Sequence, residues 1–153
     1  MNFLRRMAIA AAIAGAGYSG FAFGGIRREL EVITGNHPVY LSVVMVVCSI
    51  LLVATAIAAW MRIEAWPWMA IASAFSFLLL LFLGQLSIME AAARASERGV
   101  NIPLSFVWKE IIRTRGAIAL TITAIVPVVL ILSAITKWIL GASVSGAKLR
   151  EAS

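Results

Sequence analysis

Residues 39–89 read VYLSVVMVVCSILLVATAIAAWMRIEAWPWMAIASAFSFLLLLFLGQLSIM. Within this stretch, 39–61 and 66–89 contain no Asp, Glu, Lys or Arg, and only Arg62-Ile63-Glu64-Ala65 separates them. A helix needs roughly 20 mostly apolar residues, at ~1.5 Å rise each, to cross the hydrocarbon of a bilayer. Both runs meet that length, and a link so short makes them an antiparallel hairpin. Pro67 falls in the first turn of the second helix, where its missing N–H is harmless.

Two further uncharged runs flank the hairpin, at 7–26 and 116–136. The expected fold is therefore an all-α integral membrane protein. One polytopic domain covers 1–153, with four transmembrane helices and the first of them weakly hydrophobic. Composition agrees: 62% of residues are hydrophobic and 13% charged, against about 45–50% and 25% in soluble domains. The tryptophans mark the borders. Trp60, Trp66 and Trp68 bracket the hairpin turn, Trp108 precedes the last run and Trp138 follows it, where amphipathic indoles sit at the water–lipid boundary. The net charge of +6 comes from basic residues placed between and beside the runs. That is a membrane-border pattern, and it argues against nucleic acid as a partner. The single cysteine, Cys48, lies inside the second run, which excludes an intrachain disulfide and a cysteine-based metal cluster. Arginine outnumbers lysine, and alanine, valine and glycine abound. This leans toward a bacterial source and so toward the cytoplasmic (inner) membrane.

The first run, MAIAAAIAGAGYSGFAFGGI, is dominated by alanine and glycine. Insertion is driven mainly by Ile, Leu, Phe and Val, so this helix inserts weakly alone and needs a neighbour. Arg5-Arg6 before a short apolar core and Ala14-Gly15-Ala16 behind it are also features of a signal peptide. The uncharged length, with arginine pairs at both ends, favours a retained span over a cleaved or re-entrant segment. Ala8, Ala12, Ala16, Gly20 and Gly24 recur every fourth residue. Small residues at that spacing let another backbone approach closely, so Ala12, Ala16, Gly20 and Gly24 are the expected helix-packing interface.

The loop after run one closes on the breakers Thr34-Gly35-Asn36-His37-Pro38. Run three continues as MEAAARASERG, a good helix former ended by Gly99. Then comes LSFVWKEIIRTR, residues 104–115. Leu104, Val107, Trp108, Ile111 and Ile112 fall on one helical face while Ser105, Lys109, Glu110 and Arg113 face away. An amphipathic interfacial helix is expected there, lying in the headgroup layer or docking on a partner; its basic charge favours the former. With four spans, Arg5, Arg6, Arg62, Lys137, Lys148 and Arg150 share one side. Arg27, Arg28, Arg94, Arg98, Lys109, Arg113 and Arg115 share the other. The two sets nearly balance under the positive-inside rule; the density of the second before run four places that loop in the cytoplasm.

Sites of chemistry are not legible. His37 is the one histidine, so one chain cannot supply a bis-histidine haem site, and no nucleophile–base pair, phosphate loop or metal-binding helix is present. No catalytic, metal or cofactor residues are assigned. Glu90, Arg94, Glu97 and Arg98 read as i, i+4 surface pairs, Glu90–Arg94 among them. Gln85 is the most polar side chain inside a span, and Pro127 should bend the fourth. Coupled transporters carry a titrating group within the bilayer, and these runs have none away from their ends. The expectation is a non-catalytic small subunit of a multi-protein membrane complex, holding neighbours by helix contacts. The alternative is a homo-oligomeric pore, a small channel or holin-like protein whose serine and threonine faces line a wetted path. The partners are then the lipid bilayer and other membrane subunits or copies of the chain.

Overall fold

Each uncharged run that is rich in Leu, Val, Ile and Ala becomes helix, because only a helix satisfies its own backbone polar groups in hydrocarbon. The computed structural model describes residues 2–34, 39–97, 103 and 121–140, with 21–34 described by backbone alone. Four helices are seen among these residues: α1 (Asn2–Thr34), α2 (Val39–Trp60), α3 (Trp66–Glu97) and α4 (Thr121–Leu140). Val39–Trp60, Trp66–Ser87 and Thr121–Leu140 are long and apolar enough to cross a membrane, which makes this an all-helical integral membrane protein. The expected span at 7–26 lies inside α1, which is continuous through the arginine pairs at both its ends. It is less apolar than α2 and α3, as its alanine and glycine content dictates. The expected interfacial helix, with Leu104, Val107, Trp108, Ile111 and Ile112, lies outside the described residues, as does His37.

The hairpin turn is built by local hydrogen bonding. The Ile63 N–H reaches back to the Ala58 carbonyl at 3.0 Å, and Arg62 between them has φ 61°. A bond of that span closing over a left-handed residue is a Schellman cap, which satisfies carbonyls the helix end leaves orphaned. Ala65 then opens α3, its carbonyl accepting from Trp68 and Met69. Pro67 sits in that first turn, buried, with no donor lost.

Buried positions on all four helices alternate in steps of three and four. On α3 they run Trp66, Ala70, Ser73, Phe77, Leu80, Gly84 and Ser87. On α2 they are Leu41, Cys48, Leu52, Thr55 and Ala59, with half-buried Met45 completing the series. On α1 they are Ala8, Ala12, Gly15 and Ser19, and on α4 Val126, Leu130 and Ser133. A 3.5-residue average is the seam of left-handed, coiled-coil-like packing. Pairings give the directions. Ser19 meets Ser49 and Gly15 meets Leu52, so α1 runs against α2. Tyr40 meets Ser87 and Thr55 meets Ser73, so α2 runs against α3. Trp138 lies 4.7 Å from Trp68, ring centre to ring centre, so α4 ends where α3 begins.

The outside is as apolar as the inside. Val46, Ile50, Val53 and Ile57 on α2, Phe75, Leu79 and Phe82 on α3, and Val128, Leu132 and Ile139 on α4 are all exposed. Only 28%, 33% and 28% of the three spans is buried within the chain. A soluble monomer does not leave such patches to water; lipid or other apolar helices must cover them.

Candidate helix-packing interface

In hydrocarbon, apolar burial gives helices no reason to associate, since lipid tails are as apolar as leucine. What holds this bundle is close approach, dispersion and hydroxyl pairing, and each has named residues. Gly15 is a point of close approach. A Cβ built on it would lie 2.9 Å from Val126 Cγ1 and 3.3 Å from both Leu52 methyls. One glycine thus lets α1 seat against α2 and α4 together. Three steps along, Tyr18 tilts against Phe77 of α3 with ring centres 6.0 Å apart.

Among the described residues, hydroxyl pairs cross between helices at 2.7 Å: Ser19 with Ser49, Thr55 with Ser73, and Tyr40 with Ser87. Ser19 also lies 2.9 Å from the Ala16 carbonyl and Ser49 2.9 Å from that of Met45. With two hydrogens between them, one hydroxyl donates across while its partner donates to its own helix. The Ser87 hydroxyl donates to the Leu83 carbonyl at 2.9 Å, leaving its lone pairs for the Tyr40 O–H. Such pairs are worth about 0.6 kcal/mol each in membrane helices, with a maximum near 1.7. Ser42 does not bond back to its own helix as Ser49 and Ser87 do. It sits in the first turn of α2, and its buried oxygen has no partner among the described residues. Its fourth preceding residue lies before the helix begins.

The expected ridge is divided by the structure. Ala12 is fully buried, and Ala16 is half-buried against the core. Gly20 is exposed, and among the described residues nothing lies within 4 Å of a Cβ placed on it. Gly24 belongs to the part of α1 described by backbone alone. The reason is geometric. At 3.6 residues per turn, each step of four advances the face by about 40°, so a row that starts inside the bundle at Ala8 has rotated out of it by Gly20. The row that stays inside is Ala8, Ala12, Gly15 and Ser19, spaced four, three and four. The heptad alternation was the signal that would have found Gly15.

Elsewhere the polar residues behave as surface groups. Arg94 donates to Glu90 one turn away, both side chains being largely exposed. Gln85 is half-buried on α3, and Pro127 is buried in the middle of α4, which remains helical through it. Cys48 is a buried free thiol. Among the described residues, no three His, Cys, Asp or Glu side chains come together. No protein-family model matches the chain, and no curated protein or solved structure matches it.

Proposed function

We propose that this chain is a non-catalytic small subunit of a multi-protein complex in a bacterial cytoplasmic membrane, anchored by four spans and contributing helix–helix contacts. The observation that carries this reading is the second face of α1. Its inner row is filled by α2, α3 and α4, yet Gly17 and Gly20 open outward, and among the described residues nothing lies within 4 Å of a Cβ placed on either. The helix weakest in insertion therefore offers its smoothest surface to something beyond the chain. The fourth span is supported by the direction of α1, which runs against α2 for the length between Ser19–Ser49 and Gly15–Leu52. The amphipathic segment at 104–115 completes the proposed arrangement as a headgroup-layer helix.

A self-assembling pore needs hydroxyls on an outward or channel-lining face. Here Ser19 pairs with Ser49, Thr55 with Ser73 and Ser87 with Tyr40 inside one chain, and the outward faces of α2, α3 and α4 are mostly Val, Ile, Leu and Phe. The scaffold reading is the better supported. Purification from native membranes in mild detergent, with every subunit identified, tests it. Other membrane proteins in fixed stoichiometry are the expected result; a ring containing this chain alone would replace it with the pore.

A further inference from the structure

Between α1 and α4 runs an apolar groove of about 230 Å³, walled by Met7, Ala10, Ala11 and Ala14 on one side and by Ile125 and Val129 among others on the opposite side. We propose that this groove seats one acyl chain of an anionic phospholipid, with Arg5 and Arg6 holding its phosphate.

The groove fits the headgroup-proximal part of a lipid tail, since one leaflet of hydrocarbon is about 15 Å deep. From Met7 to Ala14 it follows about 10 Å of helix axis. Its volume accommodates roughly seven or eight water-sized groups at ~30 Å³ each, and a methylene is of that size. Its walls are almost wholly hydrocarbon, and the alanines on α1 are what leave it open.

Its charged end specifies the headgroup. Arg6 lies one turn before Ala10 of the groove wall, so it stands just beyond the groove toward the N-terminus of α1. Side chains on a helix lean toward its N-terminus, which carries the Arg6 guanidinium away from the groove and into the headgroup layer. Neither Arg5 nor Arg6 makes an ion pair among the described residues. The N-terminus of α1 lies at the hairpin-turn end of the bundle, as does the end of α4. Arg5, Arg6, Arg62 and Lys137 gather there, against Glu64 alone among the described acids. An apolar slot ending beneath a cluster of cations fits a lipid whose phosphate carries net negative charge, and arginine is suited to bidentate phosphate contacts. A zwitterionic lipid would fill the slot equally well without complementing the charge. Because tails gain little by leaving other tails, selectivity resides in the arginines and position in the groove.

The test uses the full chain reconstituted in vesicles of equal phosphatidylglycerol and phosphatidylcholine, extracted in mild detergent and weighed intact by native mass spectrometry. The expected result is one retained phosphatidylglycerol per chain, in preference to phosphatidylcholine. R5Q and R6Q should each lower that preference about five-fold while the chain stays folded. Ala14→Leu fills the groove from an exposed position and should remove the retained lipid. Val53→Phe, on the exposed face of α2, should leave it. Equal retention of the two lipids by the parent protein overturns the proposal. So does an Ala14→Leu chain that keeps phosphatidylglycerol, or one that loses a dimer and no lipid, which would make the groove a seat for a second copy.

Discussion

Gly15 and Val126 face each other so closely that a methyl group on Gly15 would stand 2.9 Å from Val126 Cγ1. Val126 cannot swing aside freely, because a β-branched residue in a helix has essentially one rotamer. Gly15→Leu should therefore destabilise the chain by about 1–3 kcal/mol, the usual cost of overpacking a tight core. Gly17→Leu points into open space and should change stability by less than about 0.5 kcal/mol. Unfolding in mild detergent, followed for both variants side by side, checks the contrast. Equal losses would mean that any bulk on α1 is harmful, and that Gly15 is not a specific contact.

Gly20→Leu separates folding from assembly. Among the described residues no neighbour lies within 4 Å of a Cβ placed on Gly20, so the monomer should fold normally, and the added leucine favours insertion. If this face is the contact with a partner, the same change should weaken the native assembly. The readout is the amount of partner that copurifies, normalised to folded chain. Undiminished copurification would remove the outward face of α1 from the scaffold reading.

The hairpin was legible because its evidence is local: two uncharged runs, a short charged link and tryptophans at the borders leave few alternatives. The packing row of α1 was harder. Alanine and glycine occupy so many positions that a four-residue row and a heptad row both appear, and only the neighbours decide between them. The hydroxyl pairs were not legible at all. Ser49 and Thr55 look alike in sequence, yet one faces α1 and the other α3. That is a property of where three helices meet.

Thr55 and Ser73 form the buried hydroxyl pair between α2 and α3. Thr55→Val keeps the shape and removes the bond, so it should cost about 0.6–1.7 kcal/mol. Adding Ser73→Ala should cost little more, because the orphaned hydroxyl goes with it. A double-mutant cycle on unfolding gives the coupling. A coupling of zero would mean that each hydroxyl bonds as well to its own helix.

Arg62 holds the left-handed position of the Schellman cap, with φ 61°. Glycine is the common residue there, and a side chain in this region costs roughly 1–2 kcal/mol. Part of that gain is offset by the freedom glycine restores to the unfolded chain. Arg62→Gly should raise stability by up to about 1 kcal/mol, seen as a higher midpoint in thermal unfolding of the detergent-solubilised protein. A lower midpoint would show that the guanidinium contributes more at the membrane border than its backbone conformation costs.

Glu90 is the acid nearest the hydrocarbon, one residue past the run that ends at Met89. Its carboxylate accepts from Arg94, and the two side chains are 55% and 43% exposed. An exposed i, i+4 pair contributes about 0.2–0.5 kcal/mol, and screening by salt reduces it further. A proton- or ion-coupling acid would instead sit inside a span, its charge held by the path it serves. Glu90→Gln should accordingly leave the activity of the native assembly within a few-fold and cost no more stability than the pair supplies. Measuring both in the same preparation decides the matter. If the variant inserts, folds and assembles while activity vanishes, Glu90 is a working intramembrane acid, and the chain takes part in transport rather than holding its neighbours in place.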